Sequence, residues 1–122
     1  MFIFDLYKHI KMIGKSLMAA TTRPLILSIL AQGESYGYAI IQSVKALSDG
    51  QLKWADGMLY PVLHKLEKDK LIRARWQSTD GKKMRKYYSI TEEGLAALQE
   101  EKLQWQFAYR LMAKALQLGP QS

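Results

Sequence analysis

ADGMLYPVLHKLEKDKLIRARWQSTDGKKMRKYYSI, residues 55–90, reads as one helix followed by a two-stranded ribbon. Met58, Leu59, Val62, Leu63 and Leu66 recur at helical spacing. Asp56 is the expected N-cap, and Pro61 falls near the first turn, where a missing N–H costs least. From Leu71 the period becomes two. Ile72, Ala74 and Trp76 point one way; Arg73, Arg75 and Gln77 point the other. Asp80-Gly81 is the strongest short hairpin signal in the chain, because both residues tolerate the left-handed backbone of a tight turn. The return strand alternates again, with Lys86, Tyr88 and Ile90 opposite Arg85, Tyr87 and Ser89. The ribbon's tip is basic: Lys82, Lys83, Arg85 and Lys86.

A helix followed by a basic-tipped hairpin is the working end of a winged helix-turn-helix, in which the helix enters the major groove and the hairpin lies along the phosphates. An ordinary α+β packing unit with a solvated loop is the plainer alternative. Charge separates the two. Between Lys65 and Lys86 stand nine of the chain's 18 Lys and Arg residues, against three acids, Glu67, Asp69 and Asp80. A solvated face usually mixes signs, whereas a one-sign cluster marks a polyanion partner.

These residues also carry a resemblance. GMLYPVLHKLE at 57–67, KKMRKYYSITEEG at 82–94 and SYGYAI at 35–40 together resemble the PadR family of bacterial transcriptional regulators. The likeness covers residues 24–105, and the spaced combination of motifs is far more specific than any one of them. The resemblance implies a dimeric winged-helix repressor whose C-terminal helix forms the dimer.

Composition sets the outer bounds. A chain of 122 residues favours one domain with a modest core that a dimer interface would extend. Apolar residues make up 48%, as in a folded protein, and the net charge of +7 favours nucleic acid or an anionic membrane as partner. With no cysteine there is neither a disulfide framework nor a thiolate metal site, which suits a cytoplasmic protein. No apolar run approaches the roughly 18 residues of a membrane span, so no membrane is expected as partner. Asp5, Lys8, His9, Lys11 and Lys15 interrupt the N-terminus too often for a signal peptide.

Taken in order, the chain divides into a helical extension (1–20), a winged helix-turn-helix (21–91) and a C-terminal dimerisation helix (92–118). Ile3, Leu6, Ile10, Ile13 and Leu17 form a helical seam that packs on a partner subunit, on its own core or on a membrane surface; Met12 is a second candidate start. Pro24 suits the first turn of the next helix, with Thr22 as its cap. The helix that follows, from Tyr36, turns Ile40, Ile41, Val44 and Leu47 inward. Residues 51–54 form a short extended bridge, a candidate first strand of the wing sheet. Thr91 is the natural N-cap of the last helix, with Glu92 and Glu93 favouring its dipole and Gly94 in the slot where a capping box would put Glu. Leu95, Leu98, Lys102, Trp105, Tyr109, Met112 and Leu116 make one seam, and Leu103, Phe107 and Leu111 a second stripe beside it. One stripe should pack on its own domain and the other on a second subunit. Leu98, Trp105, Tyr109, Met112 and Leu116 are assigned to the dimer.

Gly33-Glu34-Ser35-Tyr36-Gly37 matches the G-x-S-x-G elbow of serine hydrolases, with Asp56 and His64 downstream on paper. A chain this short has no room for the sheet that strains such an elbow, so no enzyme is expected. His9 and His64 lie far apart with no ligands at metal spacing, no phosphate-binding loop is present, and no cofactor is called for. Trp54 and Trp76 are expected to pack under the wing. Trp105 stands fourteen residues after Thr91. Members of the PadR family that sense planar, cationic drugs carry a tryptophan at that offset. Two symmetry-related indoles can sandwich a flat aromatic or cationic effector, although a tryptophan filling the dimer core is the plainer reading.

The expected fold is thus mainly α with a small antiparallel β-hairpin, a winged helix-turn-helix plus a long dimerisation helix. The expected function is repression from a pseudo-palindromic operator on double-stranded DNA, read by a homodimer. Met58, His64 and Lys65 are the base-edge candidates; Tyr36, Tyr60, Lys82, Lys83, Arg85 and Lys86 would hold phosphates. The alternatives are a protein- or RNA-binding winged helix without operator specificity and a small hydrolase at Ser35.

Overall fold

The computed structural model describes residues 14–81 and 83–119. Among the described residues, four helices pack with a three-stranded antiparallel sheet: α1 (Lys15–Gln32), β1 (Ser35–Tyr36), α2 (Gly37–Leu47), α3 (Asp56–Lys68), β2 (Ile72–Thr79), β3 (Lys83–Ile90) and α4 (Glu92–Ala115). The sheet order is β1-β3-β2. Most of the seam placed in residues 1–18 lies outside the described residues; Leu17 is exposed.

The first correction concerns Pro24. It does not begin a helix but sits inside α1, which runs unbroken across residues 20 and 21. Thr22 is therefore not a cap. Its hydroxyl donates to the Met18 carbonyl at 2.8 Å, as does that of Thr21. Proline removes the bond to the Ala20 carbonyl, a cost of about 3 kcal/mol in a helix interior. Ala20 is exposed, so water reaches that carbonyl, and burial of Thr22, Ile26, Leu27 and Leu30 along the same helix offsets the loss.

In α2, Gly37, Ile40 and Val44 are buried as the spacing requires. Leu47, expected inward, is 65% exposed, because the helix overruns the core at its last residue. The second correction is the third strand. Residues 51–54 form no strand; Trp54 goes into the core. The edge strand is β1, which pairs Ser35 with Tyr88 and Tyr36 with Tyr87.

Helix α3 buries Leu59, Leu63 and Leu66, and Asp56 is its first residue rather than its cap, which is Ala55. An aspartate in that first turn still favours the helix dipole. Pro61 lies in the second turn, one turn after the exposed Gly57, whose carbonyl is left to water. The helix ends with Lys70 in the left-handed region (φ 63°) and a bond from Leu71 N–H to the Leu66 carbonyl.

The ribbon registers Ile72 with Ile90, Ala74 with Tyr88, Trp76 with Lys86 and Thr79 with Lys83. Asp80 (φ 55°) and Gly81 (φ 71°) make the turn that their dipeptide announces. The base of the ribbon is clamped to α4. Thr91 accepts from Gly94 N–H at 3.0 Å as N-cap and donates its hydroxyl to the Lys70 carbonyl at 2.7 Å. Its own N–H reaches the Leu71 carbonyl at 3.0 Å. A side chain at Gly94 would collide with that same carbonyl oxygen and with the Ile90 side chain. This explains why glycine, not glutamate, occupies the capping-box slot. One junction therefore fixes the end of α3, the start of the wing and the start of α4.

The core gathers Ile26, Leu27, Leu30, Ile40, Val44, Leu59, Leu63, Leu66, Ile72, Tyr88 and Leu98. Arg23 of α1 bridges to Glu101 of α4 at 2.9 Å. Beyond Trp105, the side chains of α4 are mostly exposed.

Candidate nucleic-acid interface

With Leu59, Leu63 and Leu66 buried, helical geometry turns Gly57, Tyr60, Pro61, His64, Lys65 and Lys68 outward. Lys65 pairs with Asp69 at 3.2 Å. Met58 does not belong to this face. It is partly buried and packs against the core with Val62, so it does not stand on the exposed face that would meet base edges. Tyr60 crosses the start of α2, where a side chain at Gly37 would collide with its hydroxyl.

Between α3 and the wing runs an open groove of about 580 Å³, lined among others by Tyr36, Tyr38, Tyr60, His64, Trp76, Met84, Arg85 and Lys86. Lys86 lies 5.9 Å from the Trp76 ring, 5.5 Å from the Tyr88 ring and 3.7 Å from the Glu67 carboxylate. Tyr88 is buried, and its hydroxyl has no hydrogen-bond partner among the described residues. Burial pushes its pKa up to about 12, with the charges of Tyr60 and Glu67 adding to the shift.

The outer face of the sheet carries a second array. Arg85 lies 4.0 Å over the Tyr36 ring and Arg75 5.2 Å over the Tyr87 ring; the two tyrosines meet edge-on at 5.5 Å. Arg75 also donates to both Glu34 oxygens, at 2.7 and 2.5 Å, and to Gln77. Those hydrogen bonds hold the Glu34 carboxyl below the usual range.

The structure thus brings Tyr36, Tyr60, His64, Arg85 and Lys86 to one groove, with Lys65 on the adjoining helix face and Lys83 exposed on the wing. Lys82 lies outside the described residues. Trp76 is corrected: it is 61% exposed rather than packed under the wing. It does point to the Ile72 and Ala74 face, but it stands four residues, about 13 Å, along the strand, past the helix that covers the ribbon's base. Strand length was the available signal. Met84 and Tyr38 were missed as groove residues, and the Glu34–Arg75 pair, 41 residues apart, leaves no local trace. The hydrolase elbow is not formed, since Ser35 sits within a strand and pairs with Tyr88.

On α4, Leu98 is 4% exposed and packs in its own chain's core, so it is not available to a partner. Trp105, 37% exposed, borders an apolar hollow of about 270 Å³ with Thr21, Pro24, Leu25 and Leu52. Tyr109, Met112 and Leu116 continue that side in the open. Leu103, Phe107 and Leu111 are exposed too, and are not in the core as expected. Residues two apart on a helix are roughly 200° apart, so the two stripes lie on opposite sides of α4 and not side by side.

Residues 26–100, more than half of the chain, match the transcriptional regulator PadR-like family. The chain belongs to the PadR-like family of transcriptional regulators. The transcriptional regulator YqjI of Escherichia coli is 32% identical over 104 residues, 81% of this chain and 48% of that one, so the chain spans about half of that relative's length. A transcriptional regulator of Mycobacterium tuberculosis is 36% identical over 83 residues, 68% of this chain and 74% of that one. Among solved structures, a transcriptional regulator from Clostridium thermocellum superposes with a TM-score of 0.77 at 26% identity, covering 84% of this chain and 96% of that one. A PadR family regulator from Eggerthella lenta gives 0.65 at 33% identity, covering 85% and 93%. Helices α2 and α3 with the β2–β3 ribbon are the winged helix-turn-helix of this PadR-like fold.

Proposed function

We propose that this chain is a cytoplasmic, homodimeric repressor that binds a pseudo-palindromic operator on double-stranded DNA, one subunit per half-site. The observation that carries the reading is the pairing of an exposed α3 face with a wing whose Lys83 and Arg85 meet no carboxylate among the described residues. Helix α3 enters the major groove with His64 and Lys65 toward base edges, and the groove beside it admits the sugar–phosphate strand. Tyr36, Tyr60, Lys82, Lys83, Arg85 and Lys86 serve that strand. Residues 92–118 join the subunits through the side of α4 that bears Trp105, Tyr109, Met112 and Leu116. Large exposed apolar side chains support this, because apolar surface left bare costs about 25 cal/mol per Å². The hollow beside Trp105 is the place for a planar aromatic or cationic effector, which would release DNA only by binding one arrangement of the dimer better than the other.

The test is selection of bound fragments from genomic DNA, then competition with excess random duplex. Binding to the recovered sites that survives the competitor supports an operator-specific regulator. Binding titrated away in proportion to random DNA leaves only a polyanion-binding module.

A further inference from the structure

Arg75 and Arg85 share the outer face of the ribbon. Register pairs Arg75 with Tyr87 and Gln77 with Arg85, so the two arginines are diagonal neighbours on that face, their backbones roughly 7–8 Å apart. They flank the Tyr36–Tyr87 ring pair. Their partners differ. Arg85 is stacked on a ring and meets no carboxylate among the described residues, so its donors are open. All three nitrogens of Arg75 already donate: Nε and Nη2 to Glu34, and Nη1 to Gln77. The fold delivers that carboxylate, since Glu34 directly precedes β1 and β1 is tied into the sheet by Ser35 and Tyr36. The pair is open to water, with side chains 50% and 32% exposed, so a competing anion can reach it.

A guanidinium takes carboxylate and phosphate with the same two-point geometry. Glu34 therefore occupies the Nε/Nη2 edge of Arg75, one of the two edges a phosphate could take, and Gln77 draws on Nη1 of the other. We propose that Glu34 is a built-in competitor that keeps Arg75 off the DNA phosphates, so that the wing binds with one cation fewer than its sequence offers. The inference rests on the DNA-binding reading above. Withholding one sequence-independent contact lowers affinity for all DNA alike and leaves α3 a larger share of the discrimination.

The test is the slope of log K against log salt for a random duplex, measured with the wild type, Glu34→Gln, Glu34→Gln with Arg75→Gln, Arg85→Gln and Glu100→Gln. Glu100→Gln, on α4, makes the same charge change without freeing an arginine. Glu34→Gln should steepen the slope by about 0.9, roughly an extra three- to fourfold loss of affinity per fourfold rise in salt. The double variant should return to the parental slope. Arg85→Gln should be shallower by about the same amount, and Glu100→Gln unchanged. A Glu34→Gln slope equal to that of the wild type or of Glu100→Gln, with Arg85→Gln shallower, would make the pair a structural tie and overturn the inference. Absence of salt-dependent binding by the wild type would instead sink the DNA-binding reading beneath it.

Discussion

The wing and the far half of α4 leave their side chains in opposite conditions. At the wing, long and aromatic side chains already have partners in the same chain: Arg75 with Glu34 and Tyr87, Arg85 with Tyr36, Lys86 with Trp76 and Tyr88. Beyond Leu98, α4 carries Leu103, Tyr109, Leu111 and Met112 in the open and Phe107 at 62% exposure. The first region is organised before any ligand arrives, which reduces the ordering cost of binding. The second is a helix whose apolar side chains are exposed along its length. A polar surface can be complete in one chain; the bare apolar side chains of α4 are what the proposed dimer would cover.

The sharpest break between the regions lies within α4 itself. Leu98→Ala should lower the stability of the single domain by about 2–5 kcal/mol, seen as a lower midpoint in thermal or urea unfolding, because Leu98 is core. Met112→Glu, two helical heptads further on, should leave the domain folded. It should convert the proposed dimer to monomer in sedimentation and weaken operator binding by about a hundredfold, near 2.7 kcal/mol. A Met112→Glu protein that sediments as the parent does would mean that this side of α4 is not the interface.

At the wing, Lys83→Ala with Arg85→Ala should flatten the salt slope by about 1.8, or 0.9 per phosphate contact, equally for operator and random DNA. An unchanged slope would take the wing off the phosphates. On α3, Lys65→Ala should change preference at one operator position by about 1–3 kcal/mol if it reads a base. Uniform weakening across all sequences would assign it to the backbone.

The smallest effect concerns Tyr88. Its folded pKa, about 12, stands above the ordinary value near 10, so the fold favours the neutral phenol. That stability is fully present below pH 10 and is lost as pH rises through about 12, by at most about 3 kcal/mol. Tyr88→Phe should abolish this step and be within about 1 kcal/mol of neutral at pH 7, since the hydroxyl is buried without a partner. Retention of the step by Tyr88→Phe would assign it to another group.

The recognition helix and ribbon were legible because the apolar period switches from 3.6 to two at Leu71, and because Asp80-Gly81 can take only a few backbone shapes. The rest hid in long-range geometry. Two residues of β1 are too few to show a period. Pro24 read as a helix start because its cost is visible locally while the burial that offsets it is not. Gly94 looked like a defect in a cap, and only the approach of the Leu71 carbonyl explains it. Alternation set the face of Trp76 correctly but said nothing of where the core beneath it ends. The two stripes of α4 were legible as stripes, yet whether a stripe is covered depends on how far the domain reaches along the helix.

The most direct test of the account is a hydroxyl-radical footprint of the full chain on a fragment recovered by genomic selection. Two protected half-sites related by a dyad and about one helical turn, roughly 10 bp, apart are predicted, with protection surviving excess random duplex. Diffuse protection that vanishes with competitor, or a single half-site bound at full affinity, would contradict it.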